Sequence, residues 1–140
     1  MATKIQAIST YRPRVEQGNT VQKAELVRAV ARATNLNEGT VDSVIKELRD
    51  LIIQFNREGR AVKVEGLGTY TPNIGLDGVF DLQYRADTAL NNGLNQPQTF
   101  TGTITNREYI GKTTADLVAK WNQDHPQDLI PAETAQPEPS

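Results

Sequence analysis

A chain of 140 residues, 37% hydrophobic and 23% charged, has the size and composition of one ordinary globular domain with at most a short appendage. It has no cysteine, which excludes disulfides, zinc–thiolate centres and thiol catalysis. The net charge of −2 alone argues against a nucleic-acid binder, yet residues 121–140 hold four acids and no Lys or Arg, so all 15 basic residues face the other 13 acids within residues 1–120.

Residues 1–19 show little periodicity. Ile5, Ala7, Ile8 and Tyr11 suit a short strand or a segment lying over a neighbour, closed by Pro13 and Gly18. The first 14 residues carry Lys4, Arg12 and Arg14 without an apolar stretch, so they do not read as a signal peptide. No apolar run is long enough to span a membrane. A cytoplasmic protein is expected.

Thr20 offers an N-cap, and Leu26, Val27, Val30, Ala31 and Ala33 predict a helix over 21–34. A second helix is expected from Glu38, with Val41, Val44, Ile45, Leu48, Leu51, Ile52 and Phe55 on one wide apolar face and Gly59 as its left-handed cap. Residues 61–65 and 69–71 then read as an antiparallel hairpin about Gly66-Leu67-Gly68. Residues 80–84 alternate strictly and predict another strand after a turn at Asp77-Gly78. Polar, Asn-rich residues 86–98 are expected as a long loop or arm, and 99–105 as a return strand. Thr113 or Thr114 caps a last helix through Trp121, and the chain after Pro126 reads as a disordered acidic tail. The second helix has more apolar surface than so small a sheet can cover, so a homodimer is expected.

Catalytic and ligand motifs are weak. NREYIGKT, residues 106–113, nearly fits the phosphate-loop pattern Gly-x-x-x-x-Gly-Lys-Ser/Thr, but Asn106 replaces the glycine that lets the backbone wrap a phosphate. Gly66-Leu67-Gly68 lacks a third glycine and leads into a strand, so it is no dinucleotide fingerprint. His125 reads as a solvated residue near the chain end. Asp77, Asp81 and Asp87 lack metal-ligand spacing and read as turn formers. Neither an active site, a metal site, a cofactor nor a small-molecule substrate is expected.

Two helices ending in REGRAVKVEGLGTYTP, a β excursion, and IGKT opening a short helix resemble the bacterial HU/IHF family of histone-like DNA-binding proteins. Within that family the chain is most similar to a divergent HU-like branch. GLGTY is similar to the family's Gly-Phe-Gly-Thr-Phe, and the resemblance covers roughly residues 20–123. It implies an α+β fold: an HU/IHF-like intertwined dimer with two N-terminal helices, an antiparallel saddle sheet with an extended β-arm, and a short C-terminal helix. The implied organisation is an extension (1–19), an HU-like domain (20–125) and an acidic tail (126–140).

By the same resemblance, Val44, Leu48, Ile52, Phe55, Leu67 and Tyr70 fill the dimer core. DNA contacts fall to Lys63, Arg85, Arg107, Gly111 and Lys112, with Lys4, Arg12 and Arg14 as a second set from the extension. Pro97, in NQPQTFTG, is the candidate DNA wedge, although its spacing from the hairpin departs from the family's arm. The arm departs too, since residues 75–106 hold Arg85 as their only cation. Two functions follow: a nucleoid-associated protein contacting double-stranded DNA backbone without reading sequence, or an HU-like scaffold with little DNA affinity.

Overall fold

The computed structural model describes residues 2–131. In chain order the elements are α1 (Lys4–Tyr11), β1 (Arg14–Val15), α2 (Lys23–Thr34), α3 (Glu38–Arg57), β2 (Val62–Val64), β3 (Gly68–Ile74), β4 (Phe80–Ala86), α4 (Thr88–Leu94), β5 (Ile104–Thr105), a 3-10 turn (Arg107–Tyr109) and α5 (Thr114–Asp124). Among the described residues they form two compact units: residues 19–101, and residues 2–18 with 102–131. In this division the N-terminal segment groups with the C-terminal one, a grouping that the implied three-part organisation (1–19, 20–125, 126–140) does not contain.

In the 19–101 unit, α2 stops where Asn35 turns left-handed at φ 60°. The Asn37 side chain then accepts from the Gly39 N–H at 2.7 Å and caps α3. Val27 and Ala31 of α2 bury against Val41 of α3, with Val30 and Ile45 packed beside them. Asp42 takes Lys23 and Lys46 at 2.8 Å each, which pulls its carboxyl down to about 2. Gly59, at φ 76°, follows the end of α3 as expected.

The sheet order is β2-β3-β4, all antiparallel. Gly66 makes the β2–β3 turn at φ 90°. Gly68 is needed for a different reason, since a Cβ there would lie 2.5 Å from the Arg85 carbonyl oxygen and 2.6 Å from the Tyr84 ring. The missing side chain lets Tyr84 lie over the strand, where its hydroxyl donates to the Leu67 carbonyl at 2.8 Å. The β3–β4 hairpin turns at residues 75–79, with the Val79 N–H donating to the Asp77 carboxylate.

Three expectations need correction here. The β excursion after the β2–β3 turn is this hairpin and ends at Ala86 rather than reaching residue 106. Residues 86–98 contain helix α4 rather than only a loop, because Asp87 caps it through the Ala89 N–H at 2.8 Å. Of 99–105 only Ile104–Thr105 is strand, and its partner is Arg14–Val15 rather than the three-stranded sheet.

The other unit joins the two ends of the chain. Residues 4–11 form a helix, not a strand, since Thr3 and Gln6 close a reciprocal capping box. Ala2, Ala7 and Ile130 are buried together, with Val118 and Trp121 of α5 against them. The Asn122 amide both donates to and accepts from the Ile130 backbone, at 3.2 and 2.7 Å. Trp121 Nε1 donates to the Asp128 carbonyl at 2.8 Å. Ile130 is thus part of a core and Asp128 is bonded to α5, where a disordered tail is expected from Pro126 onward; residues 132–140 of that tail lie outside the described residues.

Tyr11 donates its hydroxyl to Asp124 Oδ2 at 2.7 Å. Burial, then this hydrogen bond to a carboxylate, pushes the phenol from 10.0 up to about 12. Folding favours the neutral phenol, so its contribution to stability is full below pH 10.0 and fades as pH rises toward about 12. An ultraviolet phenolate titration of the folded protein should show one of the four tyrosines ionising last, at about 12, and Tyr11→Phe should remove that step. A final step unchanged in Tyr11→Phe would contradict the contact.

Candidate nucleic-acid interface

Alternate residues of a strand point to opposite faces, so the register sorts this sheet into two surfaces. One face carries the cross-strand rows Val62–Tyr70–Tyr84, Pro72–Leu82 and Ile74–Phe80. This face meets α3: Tyr70 and Leu82 line a shallow apolar groove with Ile45, Leu48, Ile52 and Ile53. The opposite face carries Lys63–Thr69–Arg85, Thr71–Gln83 and Asn73–Asp81. The structure therefore brings two of the sequence-selected cations, Lys63 and Arg85, into one row across three strands. Both are exposed, and neither takes part in a salt bridge among the described residues.

Asp87 is the acid beside this row. Its carboxylate accepts the backbone N–H of Ala89 and of Gly66, which holds it below the usual carboxylate range, and the Lys63 charge adds to the effect. The same carboxylate ties the β2–β3 turn to α4. Lys63 is thus positioned near an anion already engaged by backbone, leaving the ammonium exposed. Thr69, Thr71, Asn73 and Gln83 add neutral hydrogen-bonding side chains to this surface, and Asp81 places an acid at its far end. Sequence reasoning misses those four residues because only the register, set by the 75–79 turn, puts them in line with the cations.

Toward its tip the hairpin changes character. Residues 71–84 contain Asp77 and Asp81 and no Lys or Arg. Leu76 at the turn is fully exposed, and Phe80 is 75% exposed. Pro97 is not on this hairpin; it lies in the turn after α4, so it occupies no arm tip.

Arg107, Gly111 and Lys112 belong to the other unit. Gly111 is left-handed at φ 82°, and Thr113 caps α5 in a reciprocal box with Asp116. Asp116 accepts the Thr113 N–H and hydroxyl, which keeps its carboxyl low. An anion therefore already sits at the α5 N-terminus, and a phosphate there would compete with it. This helix does not follow the sheet, as the resemblance implied; α4 does.

The expected dimer-core residues stand on or near the apolar face with unequal exposure. Val44 is 59% exposed and Leu48 39%, whereas Ile52 is already buried within the chain. Phe55 is partly covered and carries the Arg60 guanidinium 5.0 Å from its ring centre. Tyr70 stacks obliquely on Tyr84 at 5.1 Å, and Leu67 projects from the β2–β3 turn. A larger open groove of about 770 Å³ continues along α3 and the hairpin, lined by Ile53, Asn56, Pro72, Ile74, Phe80 and Leu82 among others. No cluster of three metal-ligating side chains occurs among the described residues, and no described helix is long and apolar enough to cross a membrane.

Among solved structures, a point mutant of HU from Thermotoga maritima matches at 16% identity and a TM-score of 0.47, covering 54% of this chain and 100% of that one. No curated protein matches the chain. The family described as "HU domain fused to wHTH, Ig, or Glycine-rich motif" matches residues 3–92, well over half of the sequence. The chain belongs to that family of HU-domain proteins.

Proposed function

We propose that the chain is a non-enzymatic architectural protein of the cytoplasmic nucleoid, contacting duplex DNA as a homodimer without reading its sequence. The observation that carries this reading is the Lys63–Thr69–Arg85 row on the sheet face opposite α3. Exposed cations flanked by neutral hydrogen-bonding groups suit phosphate contacts, which position a protein without specifying bases. The opposite face supports the dimer. Val44, Leu48, Leu51, Ile53, Phe80 and Leu82 are all at least 39% exposed, and a second chain would cover them. Completing their burial gains on the order of 1 kcal/mol each, so several must act together to offset the roughly 4–15 kcal/mol cost of association. Val44, Leu48, Ile52, Phe55, Leu67 and Tyr70 remain the proposed dimer core.

A second reading, an HU-like scaffold with little DNA affinity, is favoured by the hairpin beyond the cationic row, which offers Asp77 and Asp81 to a phosphate backbone and no positive charge. Fluorescence anisotropy separates the two. The wild type should bind two unrelated duplexes equally at low salt. Lys63→Glu/Arg85→Glu should weaken both alike and flatten the log–log salt dependence by about 0.9 for each phosphate no longer neutralised. A double variant that binds as the wild type does would remove this face from the interface. A wild type that binds neither duplex at low salt would leave the scaffold reading.

A further inference from the structure

In the three-stranded sheet β3 is central, so β4 forms an open edge, seven residues long against three in β2. Opposed residues of an antiparallel pair alternate between hydrogen-bonded and non-bonded rows. The Gly75 N–H donates to the Val79 carbonyl, and at the far end the Asp87 N–H donates to the Leu67 carbonyl. The odd-numbered residues of β4 therefore bond to β3, which turns the N–H and C=O of Phe80, Leu82, Tyr84 and Ala86 outward. Pro72, which has no N–H, accordingly stands in a non-bonded row opposite Leu82. No turn, loop or side chain among the described residues bonds to the outward groups. Residues 80–85 are all exposed.

Proteins guard such an edge with proline, bulges or repelling charges. β4 has no proline and no bulge, and its two charges are opposite in sign. Asp81 and Arg85 stand on the face away from α3, with Gln83 midway between them. A second β4, laid antiparallel about a two-fold axis at Gln83, sets Asp81 against Arg85, Leu82 against Tyr84 and Phe80 against Ala86, each pair occurring twice. All seven residues then find a partner. The Leu82–Tyr84 and Phe80–Ala86 rows carry the hydrogen bonds, and the charge pairs fall in the non-bonded rows, where side chains approach most closely. With the axis one residue earlier Asp81 would face Gln83, and one residue later it would face Asp87. An axis between residues would oppose outward groups to inward ones.

We propose that β4 is a docking edge for β4 of a second copy of this chain, joined in the register that sets Asp81 against Arg85. The dimer core proposed above draws instead on side chains of α3 and the β2–β3 region, so the two contacts are separable. A duplex held at Arg85 competes with Asp81 of the second copy, so the test is made without DNA. The chain has no cysteine, which allows single cysteines to be oxidised without background. Gln83→Cys falls on the axis, in a non-bonded row whose Cα atoms lie about 4.5 Å apart, within disulfide reach. Asn73→Cys, also exposed but on β3, would lie at least three strand spacings, about 14 Å, from its copy. Under mild oxidation of the full chain, denaturing gels should show Gln83→Cys cross-linking severalfold faster than Asn73→Cys. Adding Asp81→Lys to Gln83→Cys should slow the reaction severalfold, because Lys then meets Arg85. Adding Asp81→Arg together with Arg85→Asp should restore it. Equal rates at the two cysteine positions would overturn the pairing. A rate indifferent to Asp81→Lys, or not regained by the exchange, would overturn the register on which it depends.

Discussion

Gly68→Val is expected to destabilise the 19–101 unit by at least about 2 kcal/mol. The new Cβ would meet the Arg85 carbonyl oxygen at 2.5 Å and the Tyr84 ring at 2.6 Å, distances that real side chains do not adopt. The carbonyl is in the β3–β4 ladder, where Gly68 pairs with Ala86, so relief requires the two strands to separate. Moving the ring instead would break its hydroxyl's bond to Leu67. Gly66→Ala is the useful control: nothing lies within 4 Å of its Cβ position, so only the left-handed backbone opposes it, at about 1–2 kcal/mol. Urea unfolding should rank Gly68→Val well below Gly66→Ala. Equal midpoints would mean that the close approach of β3 and β4 is not as described.

Removing residues 127–140 should unfold or severely weaken the terminal unit, and Ile130→Ala alone should cost about 2–4 kcal/mol. Ile130 is 5% exposed against Ala2 and Ala7, and its backbone holds both ends of the Asn122 amide. The same deletion takes away the Asp128 carbonyl that accepts from the Trp121 indole and the Asp128 carboxylate that accepts the Ala2 N–H at 2.8 Å. Trp121 is the chain's single tryptophan, so its fluorescence reports this unit directly. Both variants should shift the Trp121 transition to lower denaturant. An unchanged transition in the deletion would restore the expectation of a disordered tail after Pro126.

The parts of the fold legible in the sequence are those whose signal is local and long. Helix α3 repeats its apolar spacing over 20 residues and ends close to a glycine, so its bounds are readable to within a residue or so. The β2–β3 hairpin and the start of β4 are legible because glycines and Asp77-Gly78 mark the turns. Helix α4 is not, since its stretch is polar and Asn-rich and its only announcement is the Asp87 cap. The Thr3–Gln6 capping box is a readable signal for α1 that the β-branched residues around it obscure.

The terminal unit illustrates a different limit. Its core joins Ala2 and Ala7 to Ile130, and its ribbon joins Arg14 to Thr105, pairings across more than 90 residues that no local pattern records. For that reason IGKT reads in the sequence as the helix after the arm, and Arg107 and Lys112 group there with cations that belong to another unit. For the candidate site, Lys63 and Arg85 can be selected as basic residues in strands. That they share a face, with Thr69 between them, requires the register.

Sedimentation velocity of the full chain, alone and with a short labelled duplex at low salt, tests the central claim most directly. The account predicts a stable dimer without DNA, because Val44, Leu48 and Ile53 stay exposed in one chain, and a faster-sedimenting species of two chains on one duplex that dissociates as salt is raised. A folded monomer at micromolar concentration that leaves the duplex's sedimentation unchanged would contradict it.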